Sequence, residues 1–208
     1  MTDDIRLAAA LLVAGPVIGA LCLMYPPLFR VWMVGREEHL AMVAAHPLAW
    51  RMVNLGFTVA VALTTAGLGI LAGGLDLAPG PRAILTAAAV AYAIGGVLWC
   101  VVLAIRNRTT PQLAAMVAAG RSTEPAESLV GAALGGLFAA FVWTTSLAIL
   151  VITAALALGG SVGLPVAAIA AFVTALGLGG QILTGATIPA ILYVPTLLLG
   201  LALLAGWT

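Results

Sequence analysis

Hydrophobic positions in this chain come in long blocks and do not alternate with polar ones. Six apolar segments cover roughly residues 7–29, 52–74, 83–105, 129–158, 162–183 and 186–206. Each has at least the ~20 residues that an α-helix needs to cross the hydrocarbon core of a bilayer, whereas barrel strands are about half as long and alternate. The pattern predicts an all-α fold, a polytopic transmembrane helical bundle of about six spans, as one integral membrane domain over residues 1–208.

Charged side chains stop early. The last one is Glu127, and residues 128–208 contain no Asp, Glu, Lys, Arg or His. Charged residues make up 7% of the chain, against roughly a quarter in soluble domains. We therefore expect the lipid bilayer to be the main partner. The second half of the chain supplies no charged acid, base or metal ligand, and the absence of a basic cluster argues against nucleic acid as a partner.

The arginines are distributed unevenly between the two sides of the predicted bundle. Six lie in the long connections 30–51 and 106–128, and the opposite side has only Arg6 and Arg82. The positive-inside rule then places both long connections in the cytoplasm and the N-terminus outside. With six spans the C-terminus is also outside. The last two spans lack flanking charges, so a re-entrant final pair or a C-terminus inside stays an alternative.

The basic residues are all arginine, and Ala, Gly and Leu are abundant. This composition is typical of a GC-rich coding genome, and the layout is that of many small bacterial six-span proteins. We therefore expect the cytoplasmic (inner) membrane of a bacterium.

Each long connection is predicted to contain a short interfacial helix. The first includes His39 and is limited by Pro47, because the residue before a proline disfavours helix. The second is expected to begin with Thr110 as cap and Pro111 in the first turn, and to end at Gly120. Their short apolar stripes suit the membrane surface.

The densest group of ionisable residues is Glu37, Glu38 and His39. There is no His-Glu-x-x-His motif, and His46 lies seven residues from His39, about 10 Å along a helix. Two histidines on one metal are normally closer, such as four residues apart. A solvated interfacial helix explains the group most simply. The alternative is an interfacial site formed by these three residues.

Uncharged polar residues within the spans are a second clue. Asn54, Tyr92 and Gln181 need polar partners or water in an apolar environment. In the predicted topology Asn54 and Gln181 lie toward the cytoplasmic ends of their spans. We therefore predict a shallow inward-facing polar cavity lined by these three residues, with solvation at the headgroups as the alternative.

Aromatic and small residues fit general membrane patterns. Trp32 and Trp50 match the cytoplasmic interface, and Trp99 and Trp143 are expected to pack more deeply. The spacing of Gly15–Gly19, Gly69–Gly73 and Gly131–Gly135 is that of GxxxG helix contacts, although it arises readily among 24 glycines.

We identify no catalytic residue, cofactor-binding residue or metal ligand from the sequence, and we expect no cofactor. The leading hypothesis is a non-enzymatic accessory or assembly subunit that contacts a membrane-protein partner, or a second copy of itself, within the bilayer. The first alternative is a small transporter or channel for an uncharged or lipophilic substrate. The second is an interfacial lipid-active enzyme that uses Glu37, Glu38 and His39.

Overall fold

The computed structural model describes residues 2–185 and 187–207, and for residues 125–127 the description stops at the backbone. Within these ranges the chain is helical and has no strand. The helices are α1 (Asp3–Leu23), α2 (Arg36–Ala45), α3 (Pro47–Gly74), α4 (Pro79–Ala118), α5 (Glu124–Leu158), α6 (Leu164–Thr184) and α7 (Tyr193–Ala205), with 3-10 segments at Pro26–Trp32 and Pro189–Leu192. The all-α prediction is confirmed.

The long helices form a closed ring around one apolar core. Helix α1 packs between α3 and α7, α4 packs between α3 and α5, and α6 joins α5 to α7. The short helix α2 lies against α4, next to the 3-10 segment Pro26–Trp32. The connection between α1 and α3 therefore covers one end of the bundle.

Among the described residues, five helices are long and apolar enough to cross a membrane: α1, α3, α4, the part of α5 from Ser128 onward, and α6. The sixth apolar segment is shorter and forms Pro189–Leu192 followed by α7. Pro189 begins the 3-10 segment because proline lacks an N–H and fixes its own φ. Pro195 lies in the first turn of α7, where proline is tolerated.

Two predicted helix ends differ from the structure. The first span was expected to continue to residue 29, but α1 ends at Leu23 and Pro26 begins a 3-10 segment. The separate second connecting helix was wrong, because α4 runs without a break through Thr110 and Pro111 to Ala118. Pro111 therefore lies inside α4, where it leaves one backbone carbonyl of the preceding turn without its helical donor. The first connecting helix is confirmed as α2, which ends just before Pro47.

Candidate functional site

Three helical segments bring a cation and two tryptophans together at the α2 end of the bundle. The Arg106 guanidinium carbon lies 5.2 Å from the centre of the Trp32 ring and 5.3 Å from that of Trp50. The two rings are themselves 6.0 Å apart. The Trp50 indole N–H donates to the Arg106 carbonyl oxygen at 3.3 Å, which fixes α3 against α4 at this level. Arg106 is therefore held over aromatic faces by cation–π contacts.

His39 supports this arrangement from α2. Its ring meets Trp50 edge-on at 5.4 Å, and its Nδ1 lies 3.0 Å from the Val31 carbonyl oxygen. Because a carbonyl only accepts, Nδ1 carries the hydrogen and donates. Burial lowers the pKa of His39 below its ordinary value of 6.5, and the positive charge of Arg106 lowers it further, while the bond to Val31 opposes the shift. His39 is consequently neutral at neutral pH.

A second aromatic group lies one level deeper along the same helices. Trp99 lies seven residues before Arg106 on α4, and Phe57 lies seven residues after Trp50 on α3. Seven residues span about 10 Å along a helix. Their ring centres are 6.4 Å apart. From α5, Phe141 stacks on Trp99 at 5.1 Å and Phe138 approaches at 5.6 Å. Aromatic rings thus continue from the Arg106 level into the apolar part of the bundle.

A cavity of about 390 Å³ lies between these two levels. Its wall is formed by Trp32, Phe57, Trp99, Phe138 and Val102, by Arg106, and by residues 187–190 of the connection between α6 and α7. Gly135 and Ile188 are exposed members of the wall. The cavity therefore opens sideways, between α5 and this connection. We call it the aromatic cavity.

Polar atoms around the aromatic cavity are incompletely satisfied. The buried indole nitrogen of Trp32 has no hydrogen-bond partner among the described residues. The Trp99 indole interacts with the Tyr193 hydroxyl, but neither atom has a partner at hydrogen-bonding geometry. No ion pair involves the Arg106 side chain among the side chains that are described. Buried donors without partners are uncommon, and a bound molecule at the Trp32 N–H is one way to satisfy it.

A smaller cavity of about 210 Å³ adjoins the first and shares Arg106 and Leu134 with it. Arg36 and His39 of α2 and Thr109 and Thr110 of α4 also line it. The Arg36 guanidinium donates to the Thr123 hydroxyl, which ties α2 to the start of α5. None of the described residues that line it carries a negative charge. We call this space the basic cavity.

The structure places the three predicted interfacial residues in different surroundings. Glu37 is exposed, and Glu38 forms an ion pair with Arg30 at 2.9 Å. His39 instead turns inward to Val31 and Trp50, and no described carboxylate hydrogen-bonds to it. No three His, Cys, Asp or Glu side chains among the described residues are arranged to hold a metal ion. Of this predicted set, only His39 lies near the aromatic cavity.

The predicted polar residues are buried but dispersed. The Asn54 amide donates to the Trp50 carbonyl at 2.7 Å, and the Gln181 amide donates to the Gly185 carbonyl at 3.1 Å. Their helices, α3 and α6, are not close neighbours in the ring. Tyr92 lies inside the bundle, 2% exposed. None of the three lines either cavity, and a shared polar cavity stays a prediction.

Sequence reasoning did not select Arg106, Trp32, Trp50 and Trp99 as a site. A usable signal was present, because Trp99 and Arg106 share one face of α4 at a spacing of seven. Comparisons with protein-family models, with curated proteins and with solved structures found no match to this chain. The geometry of these two cavities is therefore the available guide to function.

Proposed function

We propose that this chain is an integral membrane protein that binds a lipophilic molecule in the aromatic cavity. The observation that carries the proposal is the pairing of an aromatic wall with Arg106 and the unpartnered Trp32 N–H at one end. Ligand pockets typically combine an apolar lining with a few polar groups that orient the ligand, within ~300–1,000 Å³. A volume of about 390 Å³ lies in that range.

The side opening suggests how such a molecule enters. Five helices in the described part of the chain are long and apolar enough to cross a membrane, so the outer surface of the bundle faces lipid in this proposal. The exposed Gly135 and Ile188 then put the entrance of the aromatic cavity at the lipid. A ligand that partitions into the bilayer reaches the cavity without crossing water. This favours a lipophilic substrate for a transporter or a membrane-embedded binding protein.

The arginine distribution supports one orientation, with connections 30–51 and 106–128 in the cytoplasm of a bacterium and the N-terminus outside. Trp32, Trp50 and Arg106 then lie at the cytoplasmic interface. To test it, single cysteines at Gly80 and Arg121 are labelled with a membrane-impermeant maleimide in intact cells, after Cys22 and Cys100 are replaced by Ala. We expect labelling at position 80 only, and labelling at position 121 alone would reverse the orientation.

Binding is tested by quenching of tryptophan fluorescence with bromine-labelled dodecanol in detergent micelles. Replacing the exposed Trp143 and Trp207 with Phe leaves the three tryptophans of the site as reporters. Val102, 2% exposed, lines the aromatic cavity, whereas its neighbour Val101 is 40% exposed and does not. We expect saturable quenching that V102F abolishes and V101F preserves. Non-saturable quenching, or equal binding by V102F, would refute the proposal.

A second candidate function is the accessory subunit. Gly69 and Gly73 lie one turn apart on the outside of α3, and a side chain at either would meet no described atom within 4 Å. Such a face allows another membrane helix to approach closely. Native extraction with mass spectrometry of co-purifying proteins tests this. A stoichiometric partner lost in G69L but kept in G80L supports it, and purification of the chain alone argues against it.

A further inference from the structure

We infer that the ligand is a lipid anion, whose negatively charged head binds in the basic cavity against Arg106 while its chain occupies the aromatic cavity. This inference rests on the proposed function and adds the chemical class of the ligand. Its basis is the juxtaposition of two cavities that differ in character and meet at Arg106.

The charge balance of the basic cavity calls for an anion. Arg106 brings a positive charge to this cavity, and His39, which burial keeps as the neutral imidazole at neutral pH, does not offset it. Neither Asp nor Glu lines this cavity among the described side chains. A cation withdrawn from water is costly unless an anion or hydrogen-bond acceptors accompany it. A bound carboxylate or phosphate supplies both.

The geometry of Arg106 leaves its bonding edge available. The Arg106 guanidinium lies over the Trp32 and Trp50 rings, and its N–H groups make no hydrogen bond with the described residues. The N–H groups of a guanidinium lie in its plane, in a fork that matches the two oxygens of a carboxylate or phosphate. Thr110, which is buried, lines the same cavity and adds a hydroxyl to its wall. Arg106 is therefore preorganised to receive an oxyanion.

The direction of the chain follows from α4. Val102 and Trp99 continue from Arg106 on the same helix face into the aromatic cavity, over about 10 Å. A hydrocarbon chain attached to a head at Arg106 would run along this face toward Trp99. The reverse placement would set a charged head among Phe57, Trp99 and Phe138, about 10 Å along α4 from Arg106, the charged side chain of this wall.

The test compares three bromine-labelled probes of equal chain length: dodecanoate, dodecyl phosphate and dodecanol. Tryptophan quenching in the W143F/W207F protein gives each Kd at neutral pH. Hydrogen bonds to a charged group predict that at least one anion binds about tenfold more tightly than the alcohol. R106Q should remove most of that difference, and R36Q should reduce it. Arg108, exposed on the same helix and outside both cavities, provides the matched control R108Q.

The outcomes separate this inference from the proposed function. Equal affinity for all three probes overturns the lipid-anion inference but leaves ligand binding intact. Saturable binding of none of them overturns the proposed function itself. If R106Q and R108Q lose the preference for the anions over dodecanol equally, the inference is also overturned. Binding of dodecanol by R106Q shows that this variant is folded. Competition by inorganic phosphate as strong as that by dodecyl phosphate would indicate a free-phosphate site instead and overturn the lipid assignment.

Discussion

The contact between α1 and α3 makes the sharpest prediction about stability. Gly15 of α1 lies against α3, where the Thr64 hydroxyl donates to the Ala60 carbonyl oxygen at 2.9 Å. A Cβ at position 15 would lie 2.6 Å from that carbonyl oxygen and would also overlap the Thr64 hydroxyl. Since one collision is with backbone, a rotamer change cannot relieve it. Gly15→Ala should therefore separate two closely packed helices.

The expected magnitude combines two opposing effects. Overpacking a well-filled interior costs typically ~1–3 kcal/mol. Replacing glycine by alanine within a helix recovers about 0.5–1 kcal/mol. The difference between these two effects is roughly 0–2.5 kcal/mol, so we expect G15A to lower the free energy of unfolding by about 1 kcal/mol. The matched control is Gly69→Ala, since a Cβ there meets nothing within 4 Å; G69A should be as stable as the wild type or slightly more stable.

Reversible unfolding by SDS in mixed micelles, followed by far-UV circular dichroism, measures both variants. The double variant G15A/T64A should recover part of the loss, because the Thr64 hydroxyl is the nearest atom to the added methyl group. If G15A is as stable as G69A, α1 does not approach α3 this closely at Gly15.

Three further predictions concern the candidate site. Trp50→Phe removes the N–H that donates to the Arg106 carbonyl, so SDS unfolding should show a loss of about 1 kcal/mol; an unchanged value would mean that this bond contributes nothing. Because the pKa of His39 is lowered in the folded state, the unfolded chain takes up more protons below pH 6.5, so stability should be full above pH 6.5 and fall as the pH is lowered past it. His39→Phe should reduce the loss of stability at low pH. If this variant loses stability as steeply as the wild type, groups other than His39 cause the loss. Gln181→Ala should leave dodecanol quenching unchanged, because Gln181 lines neither cavity, whereas a clear loss of binding would favour the polar cavity predicted from the sequence.

The sequence predicts the fold class well because span length is a one-dimensional property. A run of apolar residues long enough to cross a bilayer forms a helix, since every backbone N–H and C=O must be satisfied internally. Helix ends depend on tertiary packing instead. Pro111 looked like a first-turn residue, yet α4 continues through it where α2 packs. Pro26 and Pro189 did interrupt the helical pattern, as 3-10 segments.

The candidate site was harder to predict from the sequence because it is assembled from residues that are distant in the chain. Trp32, Trp50 and Arg106 come from three separate segments, and each has an ordinary role by itself: interface tryptophans and a flanking arginine. The polar prediction selected Asn54 and Gln181, which bond to carbonyls close by in the chain. Polarity within a span does not identify a site when the local backbone can satisfy it.

Arg106 differs from those residues because its own helix cannot satisfy its hydrogen-bond donors. An amide or hydroxyl can satisfy itself on its own helix, but a guanidinium carries five N–H donors in a rigid fork, and one helix offers few free acceptors. An arginine at the inner end of a span, on the same face as a tryptophan seven residues earlier, therefore requires something from outside its helix. Here the guanidinium lies over the rings of Trp32 and Trp50, and no described carboxylate pairs with it. The N–H groups of the Arg106 guanidinium are where a ligand would form the most new hydrogen bonds. The proposed ligand class therefore depends on Arg106.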